Sequence, residues 1–207
     1  MFSDVSKKVL GFFIIIMVLS MPVFAQEGGT KGDKKEAPVA KENPLEYIRI
    51  ETSMGNVVVE LNREKAPLSV ANFLNYVDKN FYDNTIFHRI ISNFMIQAGG
   101  VTSDMEQKPG GKPIENECKN GLKNARGTIA MGRTNDLNSA TTHFYINVKD
   151  NFNLDGACYA VFGQVIDGMD IVDKIKMVKT GTKRSFRDAP LEDVIIKTIV
   201  RTEKPKK

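Results

Sequence analysis

The residues best placed to do chemistry lie in one apolar run, "FHRIISNFMIQAGG", which spans residues 87–100. After His88 it is interrupted by Arg89, by the Ser92-Asn93 pair and by Gln97, and the arginine and the amide are the ones of interest. A guanidinium is permanently charged and presents several donors in a fixed fork. An amide carries donors and an acceptor. Neither group is a nucleophile, and the question is why an apolar run should carry them. The plainer reading of a lone arginine in such a run is a salt bridge at a sheet edge. Other chemistries find little support. The Ser139, Thr141, Thr142 and His143 cluster could offer a hydroxyl and a base, but no oxyanion hole or ordering third group accompanies it, which excludes a hydrolase. His88 reads as a hydrogen-bonded structural histidine. The two histidines and two cysteines have no metal-ligand spacing, so no metal is expected. No phosphate-cradling or dinucleotide-binding glycine pattern occurs, and no cofactor is expected. The net charge of +4 is scattered, which argues against a nucleic-acid partner.

These residues need a frame to hold them. "YIRIET" and "NVVVELN" alternate apolar and polar residues about Ser53-Met54-Gly55-Asn56, which predicts a hairpin. Pro67 predicts a helix start, with Val70, Phe73, Leu74 and Val77 as its buried stripe and an end near Asn80. Short apolar runs at 94–98, 128–132, 143–148 and 159–166 predict strands. Gly168 to Met177 predicts a short helix with Ile171, Val172 and Ile175 inward, and "DVIIKTIVRT" a last strand. Many short strands with two helices predict a closed β-barrel or sandwich with helical caps. Residues 45–202 form one domain and 203–207 a frayed tail. Cys118 falls in the loop "IENECKNG" and Cys158 opens a different strand. The sequence does not bring them within bonding range, so the expectation is two unbonded cysteines that the fold does not need.

The N-terminus has a different character. Lys7 and Lys8 precede an apolar run from Val9 to Leu19, and the segment closes on Val23-Phe24-Ala25. This is the layout of a secretory signal peptide over residues 1–25, with cleavage after Ala25. An uncleaved membrane anchor is the alternative. Residues 26–44 are rich in Gly, Lys, Glu and Pro and read as a flexible linker. A periplasmic or secreted location follows, with no stable membrane association once the signal is removed.

The run from Phe87 to Gly100 resembles the signature of the cyclophilins, the peptidyl-prolyl cis-trans isomerases. "GTIAMGRTNDLNSATTHFYINV" and "LDGACYAVFGQVIDGMDIVDKI" are similar to two further blocks of that family, and "TSMGNVVVEL" and "APLSVANFLNY" also fit. The resemblance covers essentially all of 46–200, and "RTNDLNSAT" looks like the bacterial exported branch. It implies an eight-stranded antiparallel β-barrel capped by two helices. It also implies that Arg89 is the catalytic donor and that Gln97 orients it. Phe94, Met95, Tyr145 and Leu154 would wall a proline pocket, and the backbone near Gly132 and Arg133 would bind the residue before proline. His143 stands where glutamine is usual, Tyr145 where phenylalanine is usual, and Tyr159 where histidine is frequent. Asn153 occupies the place of an aromatic residue that cyclosporin, the family's immunosuppressant ligand, uses in high-affinity members. The partners implied are proline-containing polypeptides and unfolded exported proteins, met by a monomer. The alternative function is a proline-peptide binding module or holdase chaperone with little turnover.

Overall fold

A computed structural model describes residues 45–205. The expected signal segment and linker, residues 1–44, lie outside the described residues, as do the last two residues of the tail. The hairpin forms as β1 (Leu45–Thr52) and β2 (Gly55–Asn62), joined by Ser53 and Met54. Gly55 itself is the first residue of β2. Its φ of 134° and the closeness of the Ile171 side chain leave no room for a Cβ there.

Helix α1 (Pro67–Val77) buries the expected Val70, Phe73, Leu74 and Val77. It stops at Val77, ahead of the predicted end. Its first turn has no side-chain cap from its own N-cap residue, Ala66. The Glu117 carboxylate instead accepts from the backbone N–H groups of Leu68 and Ser69 at 2.8 and 2.7 Å, and from the Ser69 hydroxyl. A distant loop thereby satisfies the orphan donors of the helix and sets a negative charge at its positive end.

The remaining strands are β3 (Thr85–Ile86), β4 (Arg89–Ile91), β5 (Met95–Ala98), β6 (Thr128–Met131), β7 (Phe144–Asn147) and β8 (Val161–Asp167), then β9 (Thr180–Lys183), β10 (Phe186–Pro190) and β11 (Ile195–Thr202). Helices α2 (Asn153–Gly156) and α3 (Met169–Ile175) complete the set. Nine strands join in one antiparallel sheet in the order β3-β11-β1-β2-β8-β6-β7-β5-β4, and β9 and β10 pair separately. The mainly β architecture is the expected one, but the count differs from eight strands and two helices. β3, β4 and α2 are too short to announce themselves by periodicity. Closure also differs in kind. The sheet begins with β3 and ends with β4, which do not pair but are consecutive in the chain, separated by Phe87 and His88. The curled sheet is a half-barrel rather than a closed barrel, its end strands linked only through the chain.

The core fills the inside of the curl. Phe73 packs against Phe144 edge-on at 5.3 Å and against Phe162 at 5.4 Å. Ile90, Ile96, Ala98, Ile129, Met131 and Ile146 join the same cluster. Their strand neighbours Met95, Ala130, Tyr145 and Val161 form a second, smaller cluster with Leu154. Alternation along a strand sends successive side chains to opposite faces. β4 to β7 therefore carry apolar residues on both faces, the inner set as core and the outer set as something else.

Candidate active site

The outer face holds a cavity of about 250 Å³ lined by Arg89, Phe94, Met95, Gln97, Gly132, Arg133, Tyr145, Leu154 and Tyr159. Nine of the ten residues expected at the site meet there; His143 is the one that does not. Strand register explains half of the arrangement. Arg89 on β4 sits opposite Gln97 on β5, Gln97 opposite Tyr145 on β7, and Tyr145 opposite Ala130 on β6. One row across four strands thus places guanidinium, amide and phenol side by side above the Met95 side chain. The arginine and glutamine of the opening run are there because this face is a pocket wall and the other is the core.

Arg89 also makes an ion pair, with its Nε 3.6 Å from Asp188 Oδ2. The plain reading of a lone arginine, a salt bridge at a sheet edge, is met. The guanidinium pairs at a sheet edge and lines the cavity at once.

The opposite wall comes from loops. The Arg133 guanidinium lies over the Tyr159 ring, 4.3 Å from its centroid. It donates to the carbonyls of Thr134 at 2.7 Å, Cys158 at 3.3 Å and Ala157. Tyr159 meets Tyr145 edge-on at 6.0 Å. Cys118 and Cys158 are disulfide-bonded, with Cα atoms 5.0 Å apart. This corrects the expectation of two unbonded cysteines. Cys158 lies in the turn ahead of β8 rather than at the opening of a strand, and the two segments are remote in sequence, but Asn116 Nδ2 donates to the Cys158 carbonyl at 3.1 Å and Glu117 docks the same loop on α1. Those contacts bring the two cysteines together.

Beneath the pocket lies a polar network that sequence reasoning missed. Tyr145 donates its hydroxyl to Asn124 Oδ1 at 2.8 Å, and Asn124 donates to Asp155 Oδ1 at 2.9 Å and to the Tyr159 carbonyl at 3.2 Å. Asn147 donates to the same Asn124 oxygen, and Asn151 to Asn147 and to the Phe94 carbonyl. Asn124, Asn147 and Asn151 are all buried. Such groups are retained inside only when satisfied, and here they tie Phe94, Tyr145 and Tyr159 into one floor. Burial pushes the Tyr145 phenol pKa well up, so it stays a neutral donor. The available signal was the spacing of asparagines in "KNARGT" and "NVKDN", which alone does not distinguish a loop from a network.

His143 lies behind this wall. Its Nε2 is 2.6 Å from Gln107 Oε1, while Gln107 Nε2 donates to the carbonyls of Gly99 and Lys108. With the amide nitrogen so committed, the oxygen must accept and His143 Nε2 carries the proton. Burial lowers the His143 pKa. Gly132 answers this histidine: a Cβ on residue 132 would sit 2.9 Å from His143 Cβ. His88 lies against His143 with the rings tilted and 5.0 Å apart, and meets Phe186 edge-on at 5.6 Å. Its Nδ1 is buried and makes no hydrogen bond among the described residues, against the expectation of a hydrogen-bonded ring. Burial first, then the charges of His143 and Arg89, lower its pKa to about 3. Among the described residues no cluster of His, Cys, Asp and Glu could hold a metal.

The arrangement offers an apolar slot of side-chain size with fixed donors at one edge, suited to gripping a ring and meeting a lone pair. The model of the cyclophilin type peptidyl-prolyl cis-trans isomerase family matches residues 47–201. The chain is 52% identical over 161 residues to peptidyl-prolyl cis-trans isomerase cyp18 of Streptomyces antibioticus, covering 74% of this chain and 97% of the relative. It is 49% identical over 163 residues to peptidyl-prolyl cis-trans isomerase B of Escherichia coli, covering 75% and 99%. A cyclophilin type isomerase of Cryptosporidium parvum, solved in the presence of the dipeptide Ala-Pro, superposes with a TM-score of 0.67 at 29% identity, covering 76% of this chain and 99% of that one. With this family match over most of the chain, and a curled sheet that builds the slot on its outer face, the protein belongs to the cyclophilins and is a peptidyl-prolyl cis-trans isomerase.

Proposed function

We propose that this isomerase accelerates rotation about X-Pro bonds during the folding of exported proteins, with Arg89 as the transition-state donor. Rotation requires amide resonance to be broken, a barrier of roughly 18–20 kcal/mol, and uncatalysed exchange takes tens to hundreds of seconds. In the twisted state the lone pair localises on the prolyl nitrogen. A donor aimed there stabilises the transition state over either ground state. No covalent bond forms, so the residues in hand suffice. Phe94, Met95, Tyr145 and Leu154 grip the proline ring. Gln97, opposite Arg89 on the neighbouring strand, steadies the guanidinium and meets the substrate backbone. The backbone at Gly132 and Arg133 takes the preceding residue. The observation that carries this reading is the register that sets Arg89 and Gln97 side by side at the rim of an apolar slot. The Cryptosporidium relative solved with Ala-Pro supports proline-containing peptides as the ligand class.

Export is supported by the signal-like start, residues 1–25, and by the Cys118–Cys158 disulfide, a bond that persists in oxidising compartments. A cis-to-trans peptide assay on the parent and Arg89→Ala tests the catalytic assignment. Turnover in the parent also separates it from a binding module or holdase. N-terminal sequencing of the protein recovered from the cell envelope tests the location. A start at Gln26 supports export with cleavage, and an intact start supports an anchor.

A further inference from the structure

We infer that Asp188 is a positioning residue for Arg89, holding the Nε edge of the guanidinium so that its two terminal nitrogens face the prolyl slot. The inference rests on the assignment of Arg89 as donor. β10 packs along β4, outside the main sheet. The pairing of β10 with β9 is not regular. The register shifts between Phe186 and Ala189, and Asp188 within that bulge has a φ of 57°. A bulge inserts an unpaired residue and re-aims its side chain. A left-handed conformation at a residue other than glycine costs energy and persists where the surroundings hold it. Here the irregularity delivers Oδ2 of Asp188 to 3.6 Å from Arg89 Nε, an ion-pair distance rather than a hydrogen bond.

The contacted edge matters. A long arginine side chain has rotamer entropy to lose when it is fixed. A donor that must meet a lone pair within a fraction of an ångström benefits from losing it beforehand. A carboxylate on the terminal nitrogens would compete with substrate. One on Nε fixes the plane and leaves the fork free. The two side chains are 40% and 43% exposed, so the coupling is that of a solvent-screened pair and moderate in size.

The test uses the full chain as parent, Asp188→Asn, Asp188→Glu, Arg89→Ala and the double variant Arg89→Ala/Asp188→Asn. Asparagine suits the backbone here, because it tolerates left-handed φ better than most residues. Asp188→Asn is expected to lower kcat about three- to fivefold, the scale of an exposed ion pair. KM should stay within twofold and the thermal midpoint should not move. Asp188→Glu should recover part of the loss. On the Arg89→Ala background the same change should have no effect, because the group it acts through is gone. An unchanged kcat in Asp188→Asn, beside an Arg89→Ala variant that has lost activity, would overturn the role of Asp188 alone. An equal loss with and without Arg89 would show that Asp188 serves the fold instead. Near-parental activity in Arg89→Ala would overturn the donor assignment, and this inference with it.

Discussion

The two walls of the prolyl slot are built by different physics. On the strand side, Arg89, Met95, Gln97 and Tyr145 are placed by backbone register on three neighbouring strands, β4, β5 and β7. On the loop side, Arg133, Leu154 and Tyr159 lie on segments without ladders. They are held by a disulfide, a stacked guanidinium and a floor of buried asparagines. A wall set by register is as rigid as the sheet. A wall set by side chains depends on each tie being intact. Perturbing the ties should therefore move the loop wall, whereas perturbing the strand wall should alter chemistry while leaving structure in place.

The largest expected effect falls on the loop side. The Cys118–Cys158 bond spans 40 residues, and in the chain-entropy account a loop of that size contributes about 4 kcal/mol. Urea unfolding with and without reductant measures it, and equal midpoints would mean that the asparagine floor holds the wall unaided. On the strand side, Arg89→Ala should lower kcat/KM by about 10²-fold, or about 2.7 kcal/mol, with an unchanged unfolding midpoint. A comparable fall in stability would dissolve the distinction between the walls.

A smaller effect comes from beside Arg89. His88 has a folded pKa of about 3, below its ordinary 6.5, so the unfolded chain takes up a proton that the folded one refuses. Stability is full above pH 6.5 and is lost as pH falls toward 3. Between pH 6.5 and 5 the loss is about 2 kcal/mol. His143 contributes with the same sign, since burial lowers its pKa too. Denaturant titrations at the two pH values check this, and His88→Phe should flatten the dependence. The smallest effect concerns the loop rim. Asn153 is exposed at the start of α2 and does not line the slot. Asn153→Trp adds an apolar ring with one donor, a combination typical of binding hot spots. It should tighten cyclosporin about tenfold by calorimetry, or about 1.4 kcal/mol, while peptide turnover changes by a few-fold at most.

The same contrast explains what could be read from the sequence. Strands and helices with a long apolar period, such as β1, β2 and α1, are legible, and so is the presence of Arg89 and Gln97 in an apolar run, while the roles of those two and of Met95 and Tyr145 come from the resemblance. The loop wall was legible only as residue types borrowed from a resemblance. Its supports act between segments far apart in the chain. Asn124 meets Tyr145 and Asp155, Glu117 meets α1, and Gln107 meets His143. No local spacing encodes such meetings. The cysteine pairing was misjudged for the same reason, since the two sulfurs are brought together by the docking of a loop whose anchor is a helix N-terminus. His143 was misplaced because its expected role belonged to a glutamine, and a ring of that size turns instead toward Gln107 behind a glycine.

The way the sheet ends has a consequence for solubility. Its two outermost strands, β3 and β4, have two and three residues, and β10 packs along β4. Unpaired strand edges recruit other extended chains, and long flat ones seed aggregates. A protein proposed to work among unfolded polypeptides meets such chains constantly. By ending its sheet in its shortest strands and joining them through Phe87 and His88, this fold offers little backbone for a passing chain to pair with.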